Sequence, residues 1–284
     1  MQLRDQYVTV NNISLRCSVA GNPARPAIVF LHGFPEWGGA WEEQLRFFAA
    51  RGYYAVAPDQ RGYGWSDKPR GVRSYTLDQL ADDVAALVAA LGPGPVVLVG
   101  HDWGGAVAWA FAHRHPALLR RLVVLNMPHP SVMTQTLKRD PGQLLRSWYA
   151  GFFQLPWLPE RLCAAFGYAV LKRTLRRTSR PGTFGDAGLA RYREAWAQPG
   201  ALHAMINWYR AFRYNRGAGF GTDVPTLLLW GRKDAFLKAS MAPKSIARCS
   251  KGRLRWLDDA THWLHHEVPE AVNAAILEFL EESG

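Results

Sequence analysis

Residues 27–128 alternate between short apolar runs and stretches with helical spacing, and this alternation limits the possible folds more than any other feature. The apolar runs are AIVFLHG, YYAVAPD, PVVLVG and RLVVLNMP, and the amphipathic stretches are WEEQLRFFAARG, LDQLADDVAALVAALG and AVAWAFAHRHP. Continuous apolar runs are typical of strands buried on both faces, and strands separated by helices form βαβ units. The sequence therefore predicts a mainly parallel sheet with helices on both faces.

The two ends of the chain extend this sheet. Residues 7–20 alternate in polarity around Asn11-Asn12, which predicts an N-terminal β-hairpin. After residue 222 the strand pattern resumes in TLLLWGRKD and RLRWLDDATHW, and PEAVNAAILEFLEES predicts a closing helix. We expect an α/β fold with an eight-stranded, mostly parallel sheet.

Residues 129–221 interrupt the alternation. This segment is rich in Trp, Tyr, Phe, Arg and Pro, has helical spacing and contains no convincing strand. We expect it to be a helical cap (lid) inserted into a core domain made of residues 1–128 and 222–284. The cap holds 14 Lys and Arg against 4 Asp and Glu, whereas the rest of the chain holds 20 against 19, so the cap carries nearly all of the net charge of +11.

The densest basic run of the cap is KRTLRRTSR, residues 172–180. It suits peripheral contact with an acidic lipid surface or an anionic substrate, but a solvated helix face accounts for it as well. No nucleic-acid-recognition motif accompanies the charge, so we expect no nucleic-acid partner. No apolar stretch reaches membrane-spanning length and the N-terminus has no apolar signal segment, so we expect a cytoplasmic protein without integral membrane association.

The stretch VVLVGHDWGGAVAW, residues 96–109, has the pattern of a strand, a tight corner and a helix, with Asp102 at the corner. This pattern is typical of a nucleophile elbow, which has the sequence motif G-x-S-x-G in serine hydrolases. Gly100, Gly104 and Gly105 suit a corner at which backbones approach closely. Asp102 could cap the helix instead, but the flanking glycines favour a catalytic carboxylate.

Further candidate groups follow other predicted strands, where parallel sheets place their functional residues. Asp234 follows TLLLWGRK, and His262 follows RLRWLDDAT. Asp102, Asp234 and His262 then occur in the nucleophile, acid, histidine order of the α/β-hydrolase triad, although Asp234 alone would equally suit an Asx turn. His265 and His266 lie close to His262, but their spacing lacks a further ligand motif, so we expect no metal.

With these residues, the chain resembles the soluble type of α/β-hydrolase-fold epoxide hydrolase over nearly its whole length. The resemblance rests on core segments HGFP (32–35), DQRGYG (59–64) with Ser66-Asp67, GHDWGG (100–105) and THW (261–263), and on cap segments SWY (147–149), FQLP (153–156) and NWYR (207–210). It implies a triad of Asp102, Asp234 and His262, with Tyr149 and Tyr209 as acids, and no cofactor. It also suggests a cis peptide between Phe34 and Pro35.

A carboxylate at the elbow favours different chemistry from a serine. Attack of Asp102 on a carbonyl would give an anhydride, whereas displacement at a saturated carbon gives an alkyl ester. An epoxide or an alkyl halide meets this requirement. His262, oriented by Asp234, would then activate the water that hydrolyses the ester. By analogy with other elbows, the backbone N–H groups of Phe34 and Trp103 would form the oxyanion hole.

The leaving group separates the two substrate classes. A ring-opened epoxide is an alkoxide that needs a proton, which two phenols can deliver, whereas a halide needs only N–H donors. Haloalkane dehalogenases also have Trp after the nucleophile, but they place a second halide donor such as Asn where this chain has Phe34. Fluoroacetate dehalogenases have Arg where this chain has Trp103.

We therefore expect an epoxide hydrolase that acts on a small lipophilic epoxide with water. A haloalkane dehalogenase and a non-catalytic α/β-hydrolase scaffold are the alternatives. The aromatic cap would close an apolar pocket over the nucleophile. The expected pocket residues are His32, Pro35, Phe152, Phe153, Trp208 and Trp263.

Overall fold

The computed structural model describes residues 2–215 and 221–282, and the eight predicted strands form one sheet in it. The strands are β1 (Arg4–Val10), β2 (Ile13–Ala20), β3 (Ala27–Leu31), β4 (Tyr54–Pro58), β5 (Val96–His101), β6 (Leu119–Leu125), β7 (Thr226–Gly231) and β8 (Gly252–Leu257). Their order across the sheet is β1-β2-β4-β3-β5-β6-β7-β8. Only the pairings that involve β2 are antiparallel, so the predicted mostly parallel sheet is confirmed.

The N-terminal hairpin turns at the predicted asparagines. Asn11 and Asn12 have φ values of 45° and 62°, the left-handed conformation that a two-residue hairpin turn requires and that Asn tolerates. The first strand begins at Arg4, three residues before the alternating segment, and Arg4 pairs with Val19. The strand therefore includes polar residues that precede the segment of alternating polarity.

Twelve α-helices accompany the sheet in the described residues. They are α1 (Glu42–Ala49), α2 (Leu77–Leu91), α3 (Trp103–Arg114), α4 (Pro130–Arg139), α5 (Pro141–Arg146), α6 (Trp148–Phe152), α7 (Leu158–Thr178), α8 (Asp186–Trp196), α9 (Ala201–Ala211), α10 (Met241–Ile246), α11 (Leu264–Glu267) and α12 (Pro269–Glu281). Of these helices, none combines the length and the apolar character needed to cross a membrane.

The core consists of two apolar layers, one on each face of the sheet. Successive residues of β5 alternate between them, so that Leu98 belongs to the layer under α2 and α3, and Val99 to the layer under α1 and α12. Both side chains are fully buried. This two-sided burial explains why the central strands have continuous apolar runs in the sequence.

Helices α4 to α9 lie between β6 and β7, and the described residues between 129 and 215 contain no strand. Thr222 already pairs with Cys249 beside the sheet. The helical composition agrees with the expected cap, whose boundaries at 129 and 221 stay predictions. Residues 216–220 of that cap, Met1 and residues 283–284 lie outside the described residues.

Candidate active site

Asp102 lies on a tight turn between β5 and α3, at the carboxyl edge of the sheet. Its φ of 49° and ψ of −124° are rare for a residue other than glycine. Close backbone packing surrounds the turn: a Cβ atom on Gly104 would lie 2.2 Å from the carbonyl oxygen of Leu31, and one on Gly33 would lie 2.4 Å from the Cβ of Asp102. These two positions therefore require glycine, and the turn is an elbow as the sequence predicts.

The two carboxylate oxygens of Asp102 have different partners. Oδ1 accepts a hydrogen bond of 2.9 Å from the backbone N–H of Phe34, and Oδ2 lies 3.4 Å from Nε2 of His262. Burial alone would raise the pKa of Asp102, but His262 and the N–H of Phe34 hold it below its usual value, so Asp102 is ionised at neutral pH. The Phe34–Pro35 peptide is cis. Trp103 begins α3, where N–H groups have no partner within the helix.

His262 lies between two carboxylates. Its Nδ1 donates to Oδ2 of Asp234 at 2.8 Å, while its Nε2 faces Asp102. Asp234 is held in turn by the backbone N–H groups of Phe236 and Leu237, which donate to Oδ1 at 2.7 and 2.9 Å. Burial opposes a charge on His262, but the charges of Asp234 and Asp102 raise the pKa of His262 to about 10. The resting side chain is therefore an imidazolium.

The raised pKa of His262 makes stability depend on pH. The folded state keeps a proton up to about pH 10, whereas a histidine in the unfolded chain releases it near pH 6.5. The contribution of His262 to the free energy of unfolding is therefore fully present below about pH 6.5 and is lost as the pH rises towards 10. Urea denaturation measures the free energy of unfolding at each pH. Between about pH 7 and about pH 9, we expect this free energy to fall by about 1.4 kcal/mol per pH unit more for the native chain than for His262→Gln. Parallel stability curves would contradict the charged resting state.

Asn126, which the sequence analysis missed, joins the ends of β6 and β7 to the loop that carries His262. Its Nδ2 donates to Oδ2 of Asp234 at 2.6 Å and to the carbonyl oxygen of Thr261 at 3.2 Å, and its Oδ1 accepts from the N–H of Gly231 at 2.7 Å. Asn126 is thus a positioning residue for Asp234. Its position directly after the apolar run RLVVL could have indicated a site residue, since Asp102 and Asp234 also follow strands.

A buried network lies behind His262. His101 Nε2 lies 2.9 Å from the carbonyl oxygen of His262, and because a carbonyl only accepts, this nitrogen carries a proton. The Nδ1 of His101 lies 3.0 Å from Oε2 of Glu36. The other oxygen of Glu36 receives the hydroxyl of Tyr192 at 3.0 Å and contacts Nε2 of His266 at 2.7 Å. The network therefore holds the backbone of the residue that faces Asp102.

Part of this network has the residue types and spacing of a metal site. The ligand atoms of Glu36, His101 and His265 lie within 4.8 Å of one another. His265 stacks on Trp41, its Nε2 lies 3.4 Å from Oε1 of Glu36, and burial lowers its pKa well below the usual value. Spacing along the chain did not reveal this group, because its members come from three distant segments. The expected absence of a metal stays a prediction.

Tyr149 on α6 and Tyr209 on α9 lie opposite Asp102. The centroids of their rings are 5.9 Å apart, and Tyr209 packs edge-on against Phe34 and Trp103 at 5.2 and 5.0 Å. Burial raises the pKa of both phenols far above the usual value, and the negative charge of Asp102 raises it further. Both hydroxyls therefore stay protonated at neutral pH and can act as donors.

Asp102, Tyr149 and Tyr209 line two apolar cavities, so that they lie where the cavities meet. One has a volume of about 270 Å³ and is called the Met127 cavity; the other, of about 260 Å³, is called the Trp263 cavity. The Met127 cavity is also lined by Met127, Met133, Leu137, Leu144, Phe212 and Leu237. The Trp263 cavity is also lined by Phe34, Trp148, Val170, Phe236, His262 and Trp263.

Four of the six expected pocket residues line the Trp263 cavity: Pro35, Phe152, Phe153 and Trp263. The expectation is wrong for His32 and Trp208, which line neither cavity and are fully buried. The ring nitrogens of His32 bond to the carbonyl oxygen of Gly33 and the N–H of Gln60, and the indole of Trp208 donates to the carbonyl oxygen of Arg61. Both side chains support the backbone behind the site.

Known proteins are similar to this chain in fold and in sequence. Residues 26–269 match the family model described as alpha/beta hydrolase fold. The chain is 43% identical to the AB hydrolase superfamily protein YfhM of Bacillus subtilis, over 97% of each protein. It is 40% identical to human epoxide hydrolase 4, over 97% of this chain and 78% of that protein. An epoxide hydrolase of Bacillus megaterium, solved with an inhibitor, superposes with a TM-score of 0.89 at 26% identity, over 98% of this chain and 100% of that one.

The sheet, the elbow and the matching family model define an α/β hydrolase. The relatives narrow this class, because the similarity to them covers nearly the whole chain, including the segment between β6 and β7. The chain belongs to the α/β-hydrolase-fold epoxide hydrolases, and the resemblance drawn from the motifs is confirmed.

Proposed function

We propose that this chain hydrolyses epoxides to vicinal diols through a covalent ester on Asp102. One observation carries the proposal: an ionised carboxylate and two protonated phenols, Tyr149 and Tyr209, line the same two apolar cavities. A carboxylate can displace an oxygen from a saturated carbon, and a phenol can protonate that oxygen as it leaves. Relatives and solved structures named epoxide hydrolase support the same activity.

In the first step, Oδ2 of Asp102 is the attacking atom, because Oδ1 is held by the N–H of Phe34. A bond forms between Oδ2 and one epoxide carbon while the ring C–O bond at that carbon breaks. The alkoxide takes a proton from Tyr149 or Tyr209. Oδ1 becomes the carbonyl oxygen of the ester and keeps its contact with Phe34.

Formation of the ester changes His262. The charge of Asp102 is one of the two that raise the pKa of His262, and esterification removes it. The imidazolium then releases its proton to water, and the phenolate left by ring opening takes a proton from water, so that the phenol is restored and the charges balance. His262 becomes a neutral base whose Nδ1–H still bonds to Asp234. The first step thereby prepares the second.

In the second step, His262 takes a proton from water, and the water oxygen attacks Cγ of Asp102. The resulting oxyanion forms at Oδ1, next to the N–H of Phe34, with the N–H of Trp103 as the second expected donor. The bond between Cγ and Oδ2 breaks, and the departing alcohol takes the other water proton. The diol leaves with Oδ2, and the imidazolium again lies between two carboxylates.

The cavities suggest the substrate class. Two apolar spaces of nearly equal volume extend from Asp102, so an epoxide with a lipophilic substituent on each ring carbon would place one in each cavity. The substrate partner would be such a lipophilic epoxide together with water. Beyond the epoxide and water, both steps use only side chains and backbone N–H groups of this chain.

The haloalkane dehalogenase alternative has less support from the site. A departing halide needs N–H donors, and beside Trp103 the position of the second donor is taken by Phe34, which has no side-chain donor. Two phenols with raised pKa are suited to an alkoxide rather than a halide. A non-catalytic scaffold has no need for the bonded set of Asp102, His262 and Asp234.

A single turnover in ¹⁸O-labelled water tests the covalent route. With enzyme in excess over styrene oxide, we expect the first diol to carry no solvent label, because its new oxygen comes from Asp102. After several turnovers the diol should carry the label, since hydrolysis places solvent oxygen in the carboxylate. Mass spectrometry of the diol reads both results. Label in the first diol would show direct attack by water. Release of halide from a chloroalkane, together with no diol from styrene oxide, would favour the dehalogenase.

A further inference from the structure

Exposed apolar side chains are concentrated between β6 and β7. Of the eleven large apolar side chains that are exposed in the described residues, ten lie in this segment, and the other is Tyr7 in β1. The ten are Leu144, Leu145, Trp148, Leu155, Trp157, Leu162, Phe166, Val170, Phe212 and Tyr214. Contiguous exposed apolar surface is uncommon on soluble monomers and marks sites of interaction.

Several of these side chains surround the openings of the two cavities. Trp148 and Val170 are 68% and 51% exposed, yet both line the Trp263 cavity. Leu144 and Phe212 do the same at the Met127 cavity. Leu145, 74% exposed, precedes Trp148 by three residues. The apolar surface is therefore continuous with the spaces that reach Asp102.

Basic side chains adjoin this apolar surface. Arg173 and Arg177 follow Val170 by three and seven residues on the helical part of α7, which places the three on one face. Both arginines are exposed, and neither has an acidic partner in the described part of the chain, whereas Arg176 pairs with Asp186. We call the set Leu145, Trp148, Val170, Arg173 and Arg177 the mouth patch.

We propose that the mouth patch docks onto the surface of an anionic lipid bilayer. Tryptophan and leucine side chains favour the boundary between headgroups and acyl chains, and arginines there pair with lipid phosphates. A second copy of the chain suits the patch poorly, because a two-fold contact places the patch against itself and brings unpaired arginines together. Docking in this way sets the opening of the Trp263 cavity against the lipid phase, where lipophilic epoxides concentrate. The docking itself does not depend on the proposed reaction.

Vesicle flotation with the full chain tests the proposal. We expect the protein to float with vesicles of phosphatidylcholine containing about one third phosphatidylglycerol, and not with phosphatidylcholine alone. Reversing both charges in Arg173→Glu/Arg177→Glu should weaken partitioning at least roughly 25-fold, because loss of each positive charge alone accounts for about fivefold. Leu145→Ser/Trp148→Ser should weaken it at least about tenfold through the lost apolar contact.

Matched controls for the charged and the apolar variants lie outside the segment between β6 and β7. Arg120 and Lys251 are exposed at the amino ends of the parallel strands β6 and β8, so Arg120→Glu/Lys251→Glu makes the same change in net charge far from the patch. Tyr7→Ser is the apolar control. We expect both controls to bind as the native chain does. Circular dichroism verifies folding, and the single variants Leu145→Ser and Arg173→Glu replace any double variant that unfolds.

Three results would overturn the proposal. Equal flotation with neutral and anionic vesicles, or none with either, would remove the role of the lipid charge. Equal weakening by Arg120→Glu/Lys251→Glu would show that net charge alone drives binding. A native dimer that Leu145→Ser/Trp148→Ser converts to a monomer, measured by light scattering without vesicle binding, would make the patch an interface between copies of the chain.

Discussion

His262→Gln is expected to open one epoxide per molecule and then to stop with the substrate bound to Asp102. The variant keeps the carboxylate and the phenols to which we assign ring opening, but it lacks the base to which we assign the activation of water. Intact-mass measurement after mixing with styrene oxide should show an increase equal to one substrate molecule, and turnover should fall by about 10²- to 10⁴-fold. Glutamine preserves a donor for Asp234, so the fold should persist.

The control for this experiment is Asp102→Ala, which should form no adduct under the same conditions. Peptide mapping of the adduct should place the added mass on the segment that contains Asp102. Full turnover by His262→Gln, or an adduct on another residue, would contradict the assigned roles. Loss of turnover with no adduct at all would place His262 in ring opening rather than in ester hydrolysis.

The double variant Tyr149→Phe/Tyr209→Phe is expected to lose ring opening itself. Removal of both hydroxyls leaves the alkoxide without a proton donor in an apolar site, so we expect about 10²- to 10⁴-fold slower ester formation. In the His262→Gln background, rapid quenching followed by mass analysis measures this step directly. Either single variant should retain more activity than the pair, because the other phenol remains.

Tyr63→Phe is the matched control for the cap tyrosines. Tyr63 is fully buried, lines neither cavity, and its hydroxyl has no hydrogen-bond partner among the residues that the structure describes. When Tyr63→Phe is added to His262→Gln, we expect the ester to form at the same rate as in His262→Gln alone. If the double variant also forms ester at that rate, the phenols are not the acids, and the epoxide assignment would lose the observation on which it rests.

The sheet and the elbow could be predicted because their signals are local. A strand buried on both faces, such as β5, shows as a continuous apolar run, and the close approaches at Gly33 and Gly104 require glycine in the sequence. The order of Asp102, Asp234 and His262 then placed the candidate triad at one edge of the sheet, and the structure brings these three side chains into contact.

Side-chain direction was harder to predict. Trp208 and Tyr209 are adjacent on α9, and successive residues of a helix point about 100° apart, so their side chains face different surroundings. Tyr209 faces the cavities, and Trp208 points to the carbonyl oxygen of Arg61. A motif match supplies both residues without saying which one faces the substrate.

Contacts between distant segments were not accessible from the sequence. Asn126 and Asp234 are 108 residues apart, and His101 and His262 are 161 apart. Periodicity reports on the environment of one element at a time, and it does not give the partner of a polar side chain at the end of a strand. The positive φ values of Phe166 and Tyr168 within α7 could not be predicted from the residue types either, since bulky aromatic residues rarely adopt that conformation.

The meeting of the two cavities at Asp102 has a stereochemical consequence. In the proposed reaction, attack by Oδ2 would invert the ring carbon that it reaches, while the later hydrolysis would occur at the carboxylate and leave both substrate carbons untouched. Which substituent occupies the Met127 cavity and which the Trp263 cavity therefore decides the carbon that is inverted. For a meso epoxide, in which two identical substituents lie cis on the ring, attack at one carbon or the other would give mirror-image diols. If the proposed reaction holds, the relative shapes of two apolar spaces, rather than any catalytic group, would set the handedness of the product.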